Sequence, residues 1–412
     1  MSTLTPHVNS GQAADFEQEV RVVFQGVKEA LTELLTSVGA DPMVPQEVSR
    51  RFGLDKNLTW KISRVLKSAD AGAAIPNMPG KPGLQRLMQS MKAAGAPAAA
   101  FENAERALEA FDLVVRTHGG DRETFQMMLG VASPETAIQQ AEATRKLSFR
   151  GNSGTWGIQA RAQISAHLIA PSAVAERLDF AIISGLTELR RLRPDVPWAV
   201  ATVAFIGTGG LQHGPLAFEP IADEIDATGA PLMREFCSEN FPPLRVVQEP
   251  GVDLRRFELA EGPIGATAAV TCVTGRIHRA AVNMFADNPD DAGEHIVNFT
   301  TPAEFALHDL YVHRSLKFAH HPELFLYSQL AGGLTVPTKG RARSILNVPE
   351  RMLALGSPPD LTSAEVPSFG RMIRKAMAKL GHAEGDFVGF RFRLRYPPIP
   401  TAAMYRYALP TR

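Results

Sequence analysis

The sequence predicts an α+β multidomain protein: an all-α N-terminal domain over residues 1–150, then a larger α/β or α+β domain over 151–412 that ends in a β segment. Three observations carry that expectation. Apolar residues in the first 150 positions recur at three- and four-residue steps, the period of a helix face. The remainder interleaves helix-like stretches with short runs rich in Val, Ala, Thr and Phe. The last run, Phe387 to Tyr396, alternates: Val388, Phe390, Phe392, Leu394 and Tyr396 point one way, and Arg391, Arg393 and Arg395 point the other. Hydrophobic residues at 45% and charged residues at 21% leave enough apolar side chain for a sizeable core and exclude wholesale disorder.

The helical elements begin with Phe16, Val20, Val23, Val27, Leu31 and Leu34 on one face, with Asp15 placed as an N-cap and Gly39 as the stop. A second helical pattern spans Pro45 to Ser68. Ala71 to Gly83, with Pro76, Pro79, Gly80, Pro82 and Gly83, reads as neither helix nor central strand. Helices are expected at about 83–94, 98–117, 121–130 and 134–149, the last with Ser133 as N-cap and Pro134 in its first position. The pattern changes near Phe149-Arg150-Gly151-Asn152-Ser153-Gly154, where the domain boundary is placed. Beyond it Pro171 to Leu192 reads as a helix. Trp198 to Ile206, Leu244 to Val247, Arg255 to Leu259 and Ala266 to Val273 read as strands. Thr301-Pro302-Ala303-Glu304 has the form of a capping box that opens a helix.

Pro45 to Ser68 carries the functional signal. Gln46 to Phe52 forms a first short helix with Val48 and Phe52 facing inward, and Gly53 gives the backbone freedom a tight turn needs. Leu54 plugs the angle, Asp55 is the N-cap, and Leu58, Ile62 and Val65 make the buried stripe of the second helix. The segment resembles the helix-turn-helix of bacterial transcription regulators, including the winged-helix kind. That resemblance, confined to residues 45–68, implies a recognition helix in the DNA major groove. Asn57 then reads an adenine edge or a phosphate, and Lys56 and Lys61 a guanine edge or phosphates. Arg50, Arg51 and Lys67 position phosphates, and Arg64 lies exposed among them. The segment has six basic residues against two acidic ones.

Other candidates carry less. Residues 1–150 are neutral, 151–337 hold a net −8 and 338–412 a net +8. The Arg face of the terminal β segment is therefore expected to pair with carboxylates, the acidic middle block being the nearest source. Five histidines, His295, His308, His313, His320 and His321, crowd one stretch, with Glu304/His308 and Asp309/His313 at four-residue steps on the expected helix. The zinc-protease spacing His-Glu-x-x-His is absent, so carboxylate partners or half-burial explain them better than a metal. Gly207-Thr208-Gly209-Gly210 suggests a phosphate loop, but Gly214-Pro215 argues against the helix such a loop requires, and His213 has no nucleophile beside it. Cys237 and Cys272 have no motif around them and read as core; two cysteines also exclude a disulfide scaffold.

The preferred expectation is a sequence-specific DNA-binding transcription regulator, homo-oligomeric, with a second domain that senses a ligand or drives oligomerisation. No cofactor and no metal are expected. No run of about eighteen apolar residues spans a membrane and no secretory leader is visible, which leaves a cytoplasmic protein as the default. Two alternatives stay open. One is a self-assembling interaction protein whose helix-turn-helix docks a protein partner; the other is an enzyme using the His-rich segment or the Gly207 loop.

Overall fold

The computed structural model describes residues 10–69, 71–129, 134–203, 206–207, 210–211, 218–223, 225, 227–248, 255–330 and 338–412. A helical region precedes a larger sheet-rich domain with a C-terminal β segment, as the α+β expectation required. Two compact units divide the chain, Met1–Ala141 and Glu142–Arg412. No helix among the described residues is long and apolar enough to cross a membrane.

The helices of the first region are α1 (Ser10–Ser37), α2 (Pro45–Phe52), α3 (Lys56–Lys67), the single turn α4 (Ala71–Ala74), α5 (Lys81–Ala93), α6 (Ala98–Val114), α7 (Arg122–Leu129) and α8 (Pro134–Trp156). Val20, Val27, Leu31 and Leu34 of the expected α1 stripe are buried, Phe16 and Val23 are partly buried, and Phe24, which the spacing did not name, joins them. They pack in one core with Val48, Ile62, Val65, Leu87, Ala104, Phe111 and Phe125. Asp15 is not an N-cap: α1 starts at Ser10, and the strong helix formers Gln12, Ala13 and Ala14 carry it upstream. Ala71 to Gly83 is more helical than its prolines suggest. Pro76 and Pro82 fall in the first turns of a 3-10 turn (Ile75–Asn77) and of α5, where a missing N–H loses no intrahelical partner. The expected N-cap Ser133 lies outside the described residues. The helix expected to stop at 149 runs through Gly151 and Gly154 to Trp156.

The strands are β1 (Ile158–Pro171), β2 (Arg177–Arg191), β3 (Trp198–Val203), β4 (Ile206–Gly207), β5 (Gly210–Leu211), β6 (Glu219–Pro220), β7 (Leu244–Gln248), β8 (Arg255–Leu259), β9 (Val270–Asn283), β10 (Ala292–Phe299), β11 (Ala303–His313), β12 (Glu323–Ser328), β13 (Leu353–Gly356), β14 (Phe387–Arg395) and β15 (Thr401–Ala408). Two further helices, α9 (Thr338–Arg341) and α10 (Phe369–Leu380), interrupt them. A seven-stranded sheet runs β13-β14-β11-β1-β2-β9-β6, parallel only between β1 and β11. One face takes α10, whose Phe369, Met372, Ile373 and Met377 pack on Ile164, Leu168, Ile183 and Tyr311. The opposite face presents Ile169, Ala306, Leu310, Phe390, Phe392 and Leu394 to the three-stranded sheet β10-β15-β12, through Phe299, Leu326 and Tyr405.

That layering explains two corrections. Pro171 to Leu192 is not a helix: Pro171 ends β1, and Arg177–Arg191 is the long strand β2. Both of its faces are covered, so its apolar run is nearly continuous and its period does not separate strand from helix. At Gly185 an added Cβ would lie 2.7 Å from the Cys272 carbonyl oxygen of β9, so a glycine marks where the two backbones come close. Thr301 to Glu304 does not cap a helix either; it leads into β11. Thr301 Oγ1 instead accepts from Trp198 Nε1 at 3.0 Å, and Glu304 pairs with Arg190 at 3.3 Å. The segment Ala266 to Val273 divides into a 3-10 turn (Ala266–Ala268) and the start of β9.

Candidate functional site

α2 and α3 are joined by three residues. Gly53, at φ +64°, ends α2 in the left-handed region, and the Leu54 amide donates to Ser49 O at 3.1 Å. The Ser49 hydroxyl closes the turn from the other side, donating to Leu54 O at 2.7 Å. Asp55 caps α3, its carboxylate accepting from the amides of Asn57 (2.8 Å) and Leu58 (3.1 Å). Leu54, Leu58, Ile62, Val65 and Leu66 are buried, so the opposite face of α3 is turned to solvent.

All seven residues proposed for DNA contact are exposed: Arg50, Arg51, Lys56, Asn57, Lys61, Arg64 and Lys67. They are not equivalent. Arg50, Lys56 and Lys61 form no ion pair among the described residues, and Asn57 lies one helical turn before Lys61. Arg51 is engaged: its guanidinium donates to Gly39 O at 2.7 Å and Val38 O at 3.2 Å, satisfying carbonyls past the end of α1. Lys67 Nζ reaches Met43 O at 3.4 Å. The Arg64 guanidinium lies 4.2 Å over the Trp60 ring, which is 49% exposed. The structure therefore groups Lys56, Asn57, Trp60, Lys61 and Arg64 on the solvent side of α3 and sets Arg51 apart as a capping residue. α4 and the 3-10 turn follow α3, so no hairpin wing adjoins it among the described residues.

No protein-family model, curated protein or solved structure matches this chain. The site is read from its own geometry.

The His-rich stretch does not form a face of one helix. His308 on β11 and His295 on β10 are buried between the two sheets together with His167 of β1, a residue outside that stretch. Ring centroids lie 4.9 Å apart for His167/His308 and 5.7 Å for His167/His295. His295 Nε2 sits 2.9 Å from Tyr407 Oη and His308 Nε2 3.4 Å from His295 O, while Nδ1 of all three has no partner among the described residues. Burial pushes His295 down to about 3 and His308 to about 4; burial and then the neighbouring imidazoles and Arg276 push His167 well down. The expectation of carboxylate partners fails for these residues: the rings are neutral core. Their convergence was illegible in sequence, since β1, β10 and β11 meet only through sheet pairing.

The Arg face of β14 does meet carboxylates. Arg391 is buried against Asp309, with Nη2–Oδ2 at 2.8 Å and Nε–Oδ1 at 3.0 Å, and Tyr311 donates to the same carboxylate at 2.7 Å. Burial works against the charged Arg391, but Asp309 outweighs it and holds the guanidinium above its ordinary value. Arg393 pairs with Glu365 and Arg395 with Glu142, both arginines about half exposed. Only Asp309 comes from the acidic middle block; the other partners flank it in sequence. The loop after Gly207 offers no test of a phosphate site, since residues 208–209 and 212–217, with His213, lie outside the described residues. Cys272 is buried, and its hydrogen bond with Cys237 and then burial push its thiol well above the ordinary range. Among the described residues, ligand atoms of His313, His382 and Asp386 do converge, two of these residues lying far from the His-rich stretch.

Proposed function

We propose that this chain is a sequence-specific DNA-binding transcription regulator that docks α3 in the major groove. The observation that carries the reading is the exposed face of α3, where Lys56, Asn57 and Lys61, with no ion pair among the described residues, stand opposite a buried Leu58/Ile62/Val65 stripe. Lys56 and Asn57 occupy the first turn, the part of a recognition helix that reaches base edges. Arg50 and Lys67 contact phosphates from either side, and Arg51 holds α2 against the end of α1. One recognition helix offers little interface, so a homodimer that reads two half-sites supplies the specificity. The second unit carries ligand sensing or oligomerisation, and a cytoplasmic location follows from the reading.

The test is retention of the full chain on labelled duplex DNA over a salt series. Affinity should fall steeply with salt, Lys61→Ala should lower the slope by about one, and Asn57→Ala should change sequence preference. Unchanged affinity and slope in both Lys61→Ala and Arg50→Ala would remove the DNA reading. A second reading, that α3 docks a protein partner, is favoured by Trp60, because an exposed Trp stacked by Arg is the side-chain pair that anchors protein interfaces. Under it, Trp60→Ala abolishes partner capture while DNA retention is absent from the parent as well.

A further inference from the structure

We infer that His313, His382 and Asp386 form a binding site for a divalent first-row transition metal of the zinc or ferrous type. One ligand atom from each of the three lies within 4.8 Å of the other two. The donors come from separate places that the sheet brings together. His313 is the last residue of β11 and is paired across to Phe387, so Asp386, which closes the 3-10 turn Glu384–Asp386, falls beside the end of β11. The Arg314 amide donates to Asp386 O at 2.7 Å and fixes that junction. His382 follows Gly381, the left-handed cap of α10, and its amide donates to Met377 O at 3.0 Å.

The side chains are held without being used up. The Ser315 hydroxyl oxygen lies 2.9 Å from His313 Nδ1 and accepts from it in the Nδ1–H tautomer, which orients the ring and leaves Nε2 without a protein partner among the described residues. Neither ring nitrogen of His382 has a protein hydrogen bond among those residues. Asp386 Oδ2 accepts from the Ala383 amide at 2.9 Å, leaving Oδ1 available. Both imidazoles stand edge-on to Phe387, at 5.8 and 6.0 Å between centroids, and they lie 4.6 Å from each other. Two neutral imidazoles and one carboxylate make a half-buried donor set of charge −1. That set suits a borderline divalent ion better than calcium or magnesium, which prefer all-oxygen shells. Three protein donors leave further coordination positions for water or a small ligand. The two histidines are 69 positions apart in the chain, which is why no ligand spacing announced the site.

The experiment uses the full chain freed of metal by chelation and dialysis, titrated with Co2+ by absorbance and with Zn2+ by calorimetry. One equivalent should bind, with cobalt d–d bands and a rise in melting temperature on adding Zn2+. His382→Ala should weaken binding by about 100-fold or more, and Asp386→Asn, which keeps an oxygen for the Ala383 amide, by about 10-fold. His321→Ala, an exposed histidine outside the cluster, should bind as the parent does. If His382→Ala does not fold by circular dichroism, Asp386→Asn and His313→Gln decide. Absence of saturable binding in the parent, or equal affinity in the parent and the folded cluster variants, overturns the site. The outcome is independent of DNA binding.

Discussion

The two faces of the seven-stranded sheet bury polar groups in opposite ways. On the α10 face, β11 and β14 bring Asp309 and Arg391 together, and every strong contact is made: a forked ion pair, with Tyr311 donating to the same carboxylate. On the other face, one residue along the same strand, His308 joins His167 and His295 in a layer of imidazoles whose Nδ1 atoms have no partner among the described residues. The ion pair on the α10 face is therefore satisfied, whereas the histidine layer, with buried Arg276 beside it, is not. A paired buried charge fails when its partner is removed, because the survivor has nowhere to place its charge. A buried neutral imidazole fails when it gains a charge, because burial takes the hydration from the charged form. Mutation probes the first, and pH probes the second.

The largest expected effect separates the faces by pH. An unfolded histidine takes up its proton near pH 6.5, whereas folded His295 and His308 do so only near 3 and 4. Between those limits the unfolded chain binds more protons, so stability is full above pH 6.5 and falls as the pH drops. By pH 4 the loss is about 3 kcal/mol for each of the two, with His167 adding in the same direction. Urea midpoints measured from pH 7.5 to 4.5 check this; a flat profile would place the imidazoles in contact with solvent.

Next in size, Asp309→Ala should destabilise by about 3–5 kcal/mol at pH 7, since it strands a buried guanidinium. A loss below about 1 kcal/mol would mean that Arg391 swings to water and that the pair is not buried in solution. The flanking arginines sharpen the contrast. Arg393→Gln and Arg395→Gln break ion pairs that are half in solvent, and each should cost less than about 1 kcal/mol and fade with added salt. Smallest of all, His167→Phe should leave stability within about 1 kcal/mol at pH 7, because it replaces a ring with an orphaned nitrogen by one with none. It should also shift the acid midpoint downward. A large loss at neutral pH would show that His167 makes a hydrogen bond that its surroundings in the fold do not reveal.

Local sequence determined the helical region because its elements are decided by local rules. The α1 stripe, the Gly53 turn, the Asp55 cap and the Leu58/Ile62/Val65 face each rest on residues within a few positions of one another, and a helix reports its buried side every three or four steps. The terminal strand was legible for the same reason, since the alternation from Phe387 to Arg395 has a period of two and leaves its arginines in plain view. β2 and β11 were not, because a strand buried on both faces loses its alternation. There, the signals of local origin, a long apolar run and a Thr-Pro-Ala-Glu capping pattern, point to helices. Tertiary structure alone decided which face of the sheet holds Asp309 and which His308. It also decided that Arg51 caps α1, that His167 joins His295 and His308, and that His313 meets His382 and Asp386. Those meetings depend on pairings such as β1 with β11 and β11 with β14, between segments more than 70 residues apart, and no local propensity encodes which distant strand will lie alongside.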